Sequence, residues 1–291
     1  MTERALVVVA GSLHYDVMVD APDRPRKGET VTGRSWAPKC GGKGGNQAVA
    51  AAKAGAGTAM VGAVGDDDFG RALLADLDRA GVDRAAVATR AGAGSGMSVA
   101  IFDDGGDYGA VIVSGANLSA SPDQLDEERL ASAGVLVLQN EIPEAVNAAL
   151  AARARRHGVR TMLNAAPARP FTTDLAANVD VLVVNAVEAE MLGGGAVDGL
   201  ERALAAARAL TSLCATVVVT AGGDGVAAAD RDGLALSIPA LPIAVASTHG
   251  AGDAFVGTLA AALARGASLA AGLDAANREA ARLVSTPEHL R

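Results

Sequence analysis

The sequence predicts an α/β protein built as a three-layer αβα sandwich, with a small β-sheet lid outside the main sheet. Two observations predict it. Short unbroken apolar runs alternate with segments of helical period along most of the chain, which is the pattern of parallel strands covered by helices on both faces. Residues 16–38 and 95–113 break that alternation and carry turn signals and strand-like runs instead.

The elements follow in order. Residues 6–10 are a continuous apolar run, as in a buried strand. Residues 45–55 are Ala-rich and helical, and 58–64 return to strand character. Residues 69–80 have helical period and stop at Gly81. Ser121-Pro122 reads as an N-cap with Pro at the first helical position, opening a helix to about residue 131. A strand at 135–138, a helix at 143–157 ending at Gly158, and strands at 159–163 and 179–184 come next. A helix at 198–210 and a strand at 215–220 follow. A β-rich stretch at 234–246 leads into a glycine turn, and helices at 251–265 and 269–284 close the chain. In the irregular regions, Pro22, Pro25, Gly28 and Gly33 mark turns, and Asp103-Asp104-Gly105-Gly106 marks a hairpin.

Composition narrows the function classes. The 291 residues suit one large α/β domain, and half of them are hydrophobic, enough for a sizeable core. A net charge of −8 without any Lys/Arg cluster argues against a nucleic-acid or anionic-membrane partner. No apolar run approaches the roughly 20 residues of a membrane span. The N-terminus lacks the basic region and cleavage site of a signal peptide. Cys40 and Cys214 are distant and have no CxxC partner, so they fit a reducing cytoplasm and neither a disulfide framework nor a zinc site.

Two glycine motifs carry the chemistry. Ser247-Thr248-His249-Gly250-Ala251-Gly252-Asp253 reads as strand, glycine turn, helix start. Uncovered amides of Gly250, Ala251 and Gly252 at a helix N-terminus make an anion site. Asp253 beside that site is costly unless it has a task, such as taking a proton from a hydroxyl that attacks a phosphate. Taken alone, the motif is equally a tight turn followed by an acidic first-turn residue. Gly41-Gly42-Lys43-Gly44-Gly45-Asn46-Gln47 precedes a helix but is neither a P-loop nor a dinucleotide fingerprint. Its glycines permit close backbone approach, and Lys43 and Asn46 offer donors suited to sugar hydroxyls.

Together these motifs resemble the two signatures of the ribokinase-like (PfkB-type) carbohydrate kinases, in matching order and with nearly the whole chain covered. Asn164-Ala165-Ala166-Pro167 and Thr220-Ala221-Gly222-Gly223-Asp224-Gly225 also fall where that family has similar residues. The resemblance implies one kinase domain over 1–291 with lid insertions at about 14–38 and 95–114. It implies Asp253 as catalytic base, with Gly250, Ala251 and Gly252 forming the anion hole. Asp16, Gly42, Lys43, Asn46 and Glu141 would line the sugar site, joined by His14. Asn185, Thr220, Gly222, Gly225 and Asn277 would border the nucleotide. Glu188 would help to hold Mg²⁺, partly through water. The implied cosubstrate is ATP, the implied reaction is phosphorylation of a primary hydroxyl, and the first acceptor to test is D-ribose. Fructose, tagatose or 2-keto-3-deoxygluconate types and nucleosides are alternatives, as is a non-catalytic sugar or nucleotide sensor. Exposed lid strands imply a homodimer through the lid.

Four positions depart from the family pattern or invite a second reading. His14 stands where the family usually has Asn, and either reshapes the sugar pocket or packs. Ser247 stands where an Asp often helps to bind a monovalent cation, and no completing glycine loop is recognisable after Ser285-Thr286-Pro287, so potassium activation is expected to be weak or absent. His249 is expected to point away from the site. Trp36 is expected to pack within the lid rather than to stack on sugar.

Overall fold

A computed structural model describes residues 5–105 and 108–287 of the chain. The chain order is β1 (Leu6–Ala10), β2 (His14–Asp20), β3 (Ser35–Gly41), α1 (Lys43–Lys53), β4 (Gly57–Gly65), α2 (Asp68–Arg79) and β5 (Asp83–Arg90). Next come β6 (Gly96–Phe102), β7 (Tyr108–Val113), α3 (Glu127–Ala131), β8 (Ala133–Gln139), α4 (Glu144–Arg156), β9 (Arg160–Asn164) and α5 (Thr173–Ala176). The remainder is β10 (Val181–Asn185), α6 (Ala186–Met191), α7 (Leu200–Leu210), β11 (Thr216–Thr220), β12 (Gly225–Asp230), β13 (Ala235–Pro239), α8 (Ala251–Ala264) and α9 (Leu269–Ser285).

The large sheet runs β13-β12-β11-β10-β9-β8-β1-β4-β5. Strand alternation divides its apolar side chains into two cores. Val8, Ala10, Leu136 and Leu138 face α4 and α7, whereas Val7, Val9, Val135 and Val137 face α1, α8 and α9. Each of these strand residues is fully buried. The three-layer expectation therefore holds, with one correction. β12 and β13 pair antiparallel at one edge, because the turn after β11 is too short for a crossover helix.

The lid is a second sheet, β3-β2-β6-β7. Its strands come from the two stretches that broke the alternation. Gly106 of the expected hairpin turn lies outside the described residues. Trp36 does not pack as expected but is 67% exposed.

Three further boundaries differ. Ser121 does cap a turn, yet that turn is a short 3-10 segment, and α3 starts separately with Asp126 as its cap, accepting from Arg129 N. The β-rich stretch at 234–246 forms a strand only to Pro239. β5 was not expected, because its sequence interleaves charge with small residues instead of forming an apolar run. No helix among the described residues is long and apolar enough to cross a membrane.

Candidate active site

The parallel order β11-β10-β9-β8-β1 brings five strand ends to one side of the large sheet. There β1 leads to Ser12, β8 to Glu141, β9 to Asn164, β10 to Asn185 and β11 to Thr220. Open α/β sheets form ligand crevices at such carboxyl ends. A cavity of about 220 Å³ occupies this edge, and its walls include Lys43, Asn185, Glu188, Thr220, Gly250 and Asp253.

Helix α8 places Asp253 in its first turn. Gly250 caps the helix at φ 78° and ψ 0°, a left-handed conformation that costs glycine little. Nothing lies within 4 Å of where side chains on Gly250 or Gly252 would stand, so the helix end is open to a ligand. The expected set of free amides needs one correction, since Ala251 N–H donates to Thr248 O at 3.2 Å. Among the described residues, the amides of Gly252 and Asp253 lack a backbone acceptor and lie at the positive end of the helix dipole.

The carboxylate of Asp253 is held from α1. Asn46 Nδ2 donates to Oδ2 and Gln47 Nε2 to Oδ1, each at 2.9 Å. Burial pushes the Asp253 pKa upward, while Lys43 and the two carboxamides favour the ionised form and Glu141 opposes it.

The sugar-site candidates gather where the lid meets the large sheet. Glu141 accepts from Lys43 N at 3.0 Å and, in a very short contact, from Ser12 Oγ. His14 is buried, with Nδ1 3.8 Å from Glu141 Oε2. Gly42 adopts φ 83°, where a Cβ would stand 2.7 Å from His14 N. Asp16 accepts from Ser98 Oγ at 2.5 Å across the β2–β6 pair. Burial raises the Asp16 pKa, whereas Ser98, His14 and His249 lower it.

The nucleotide-side candidates divide. Asn185 caps α6, its Oδ1 accepting from Glu188 N at 2.8 Å, and Glu188 Oε2 accepts from Asn185 N at 2.9 Å. The Asn-x-x-Glu spacing is therefore also a capping box. Burial raises the Glu188 pKa, Lys43 lowers it, and nearby Asp253 raises it further. Gly222 and Gly225 follow β11 but do not line the cavity, and Gly225 is occupied in the pairing of β12 with β13. Asn277 is also outside it, donating to Pro239 O at 2.9 Å. A larger cavity of about 490 Å³ lies by Phe171 and Met191, and none of the candidate residues lines it.

Ser12, Gln47, Ser98 and Asn164 contact these groups without having been assigned a role from sequence. Gln47 and Asn164 carried a signal, since both lie inside quoted motifs, as did Ser12, since Gly11-Ser12 falls where the family has similar residues; Ser98 carried none.

A match to the pfkB family carbohydrate kinase covers residues 4–289, and the chain belongs to that family. It is 35% identical to a ribokinase of Bacillus subtilis over 278 residues, 94% of this chain and 91% of the relative. A deoxyribokinase of Salmonella typhimurium is 33% identical over 259 residues, 87% of this chain and 84% of that one. The solved structure of an Arabidopsis thaliana ribokinase complexed with ribose and ATP matches with a TM-score of 0.89 at 30% identity, covering 97% of this chain and 93% of that one.

Proposed function

We propose that this carbohydrate kinase transfers a phosphoryl group from ATP to a primary hydroxyl of a small sugar, with D-ribose as its acceptor and ribose 5-phosphate as product. The observation that carries the reading is Asp253, held at both oxygens at the open head of α8, in one cavity with Lys43, Asn185 and Glu188. In this reading Asp253 takes the hydroxyl proton as the oxygen attacks in line. The free amides of the α8 first turn receive the charge that develops on the transferred group. Asp16, Glu141 and Asn46, with Gly42, Lys43 and His14, bind and orient the sugar. Asn185 and Thr220 border the phosphates, and Gly222, Gly225 and Asn277 flank the rest of the nucleotide.

Glu188 and Asn185 line that cavity and carry hard oxygen atoms, which suits Mg²⁺ held mainly by phosphate and water. When bound, the ion would neutralise phosphate charge. The lid would close over the sugar and exclude water.

The whole chain acts as one kinase domain in this reading, with lid insertions at about 14–38 and 95–114. Register places Val17, Val19, Trp36, Val99, Val111 and Val113 on the lid face opposite Asp16. An apolar sheet face of this kind fits a second copy of the same chain.

The test is ADP release from MgATP against pentoses, 2-deoxyribose, hexoses, keto-deoxy acids and nucleosides. The wild type is expected to turn over ribose. Asp253→Ala is expected to fold and bind nucleotide while losing about 10²–10⁴-fold in kcat. Preference for 2-deoxyribose would move the substrate to the deoxyribokinase-like alternative. A variant with near wild-type turnover would remove Asp253 from the role of base, and silence across the panel with nucleotide bound would favour a sensor.

A further inference from the structure

A line of buried carboxamides runs from Asp253 into the core, and the reaction as described above gives it no work. Gln47 is fully buried on α1. Its Nε2 has two acceptors, Asp253 Oδ1 at 2.9 Å and Asn164 Oδ1 at 3.0 Å. Its Oε1 accepts from Nε2 of Gln139, also fully buried, at 2.8 Å. Asn164 closes the line by donating to Val183 O at 3.2 Å.

The direction of this line is forced from one end. A backbone carbonyl only accepts, so Asn164 must turn its NH₂ towards Val183 and its oxygen towards Gln47. Gln47 must then turn its NH₂ towards Asn164 and its oxygen towards Gln139. The second hydrogen of that same NH₂ reaches Asp253. Gln139 has to donate in turn, which leaves its own Oε1 buried without a partner. An orphaned buried acceptor is costly, because it gives up its bonds to water and gains none in return. The structure carries that cost at the core end of the line, where it leaves Asp253 a donor and not a second acceptor.

Helix packing ties this line to the reacting end. α1 meets α8 so closely that a Cβ on Gly257 would stand 2.5 Å from Gln47 O. The Asn46–Gln47 dipeptide therefore supplies one donor to each Asp253 oxygen from a helix locked against the helix that carries Asp253.

We propose that Gln47 is a positioning residue for Asp253: oriented by Val183 through Asn164, it fixes the carboxylate so that its unused lone pair faces the attacking hydroxyl. The inference rests on the phosphoryl-transfer reading. It predicts an effect on kcat and little on sugar KM, because the Gln47 side chain is engaged by Asp253, Asn164 and Gln139 and not by the sugar-site groups. It also predicts a pH signature. The charged groups facing Asp253 are Lys43 of α1, Glu141 beyond β8 and Glu188 of α6. Burial pushes its pKa up and the two carboxamides hold it down. A base acts ionised, so loss of the Gln47 donor raises that pKa and moves the acid limb of activity to higher pH.

The experiment uses the full chain, wild type beside Gln47→Met and Gln47→Glu, with MgATP and ribose over about pH 5–9. Gln47→Met keeps the length and removes the donor. It is expected to lower kcat about 10–100-fold, the cost of a misplaced reacting group, with KM within about threefold. Gln47→Glu sets a second carboxylate against Asp253 and is expected to lose more and to shift the limb further. A folded Gln47→Met enzyme with an unmoved acid limb overturns the proposal, whatever its kcat. If both variants fail to fold, Gln139→Met frees the Gln47 carboxamide from the side remote from α8. It is expected to lower kcat about 3–10-fold with the same direction of shift, and an unmoved limb there overturns the proposal. A wild type that turns over no acceptor defeats the kinase reading itself, whereas an active wild type with indifferent variants defeats only the positioning.

Discussion

The large sheet and the lid sheet draw on the same apolar residue types and bury them in opposite ways. Val7, Val8 and Val9 are fully buried, because helices cover both faces of a parallel strand. Val111 and Trp36 are 68% and 67% exposed, because among the described residues α2 covers that face of the lid only at its Tyr15 and Cys40 end. The first sheet is a rigid base, and it holds Asp253 through α1 and α8. The second is held by less burial and suits a part that opens, and it carries Asp16 and Ser98. Strand β2 shows the same contrast within four residues. Burial raises the Asp16 pKa towards the cleft, whereas Arg34 holds exposed Asp20 below its ordinary value at the lid tip.

The largest test of this contrast falls on the base. Leu136→Ala opens a cavity in a fully buried strand and is expected to cost about 2–5 kcal/mol in urea unfolding. A cost below about 1 kcal/mol would show that the base is no more tightly packed than the lid.

Ser98→Ala tests the lid as a recognition surface. It removes the donor to Asp16 and is expected to raise sugar KM about three- to tenfold, with kcat nearly unchanged. Asp16 binds hydroxyls best when ionised, and its pKa is already raised. Losing Ser98 raises it further, so the rise in KM on acidification should begin at higher pH than in the wild type. A pH-independent KM would separate Asp16 from sugar binding.

Val111 and Ile112 provide the finest test, since adjacent strand residues face opposite ways. Ile112 pairs with Ser98 on the Asp16 face, and Val111 pairs with Val99 on the other. Val111→Asp is expected to abolish self-association in sedimentation while leaving sugar KM and monomer stability within about 0.5 kcal/mol. Ile112→Ser is expected to change KM about twofold and leave association intact. Equal effects of the two would erase the distinction between the lid faces.

Much of this architecture was legible because burial on two faces demands apolar runs, as in β1, β4, β8 and β10. β5 was not, since an edge strand needs only one apolar face. α3 was read too early because Ser121-Pro122 satisfies the rules of a helix start, yet Asp126 caps the helix that forms. At the site, glycine turns announced Gly42, Lys43, Gly250 and Asp253, since close approach and a left-handed helix cap demand glycine. Ser98 gave no signal, because a lone serine acquires its partner only when distant strands pair.

By itself, then, the sequence determined the alternation of strand and helix, the two glycine-lined approaches and the carboxylate at a helix head, all of which depend on neighbours along the chain. Tertiary structure alone decided which amides stay free, which way each carboxamide turns and which carboxylates burial pushes up. Those outcomes depend on groups more than a hundred residues apart, Gln47 with Asn164 and Asp253 among them, and no local preference specifies how such groups meet.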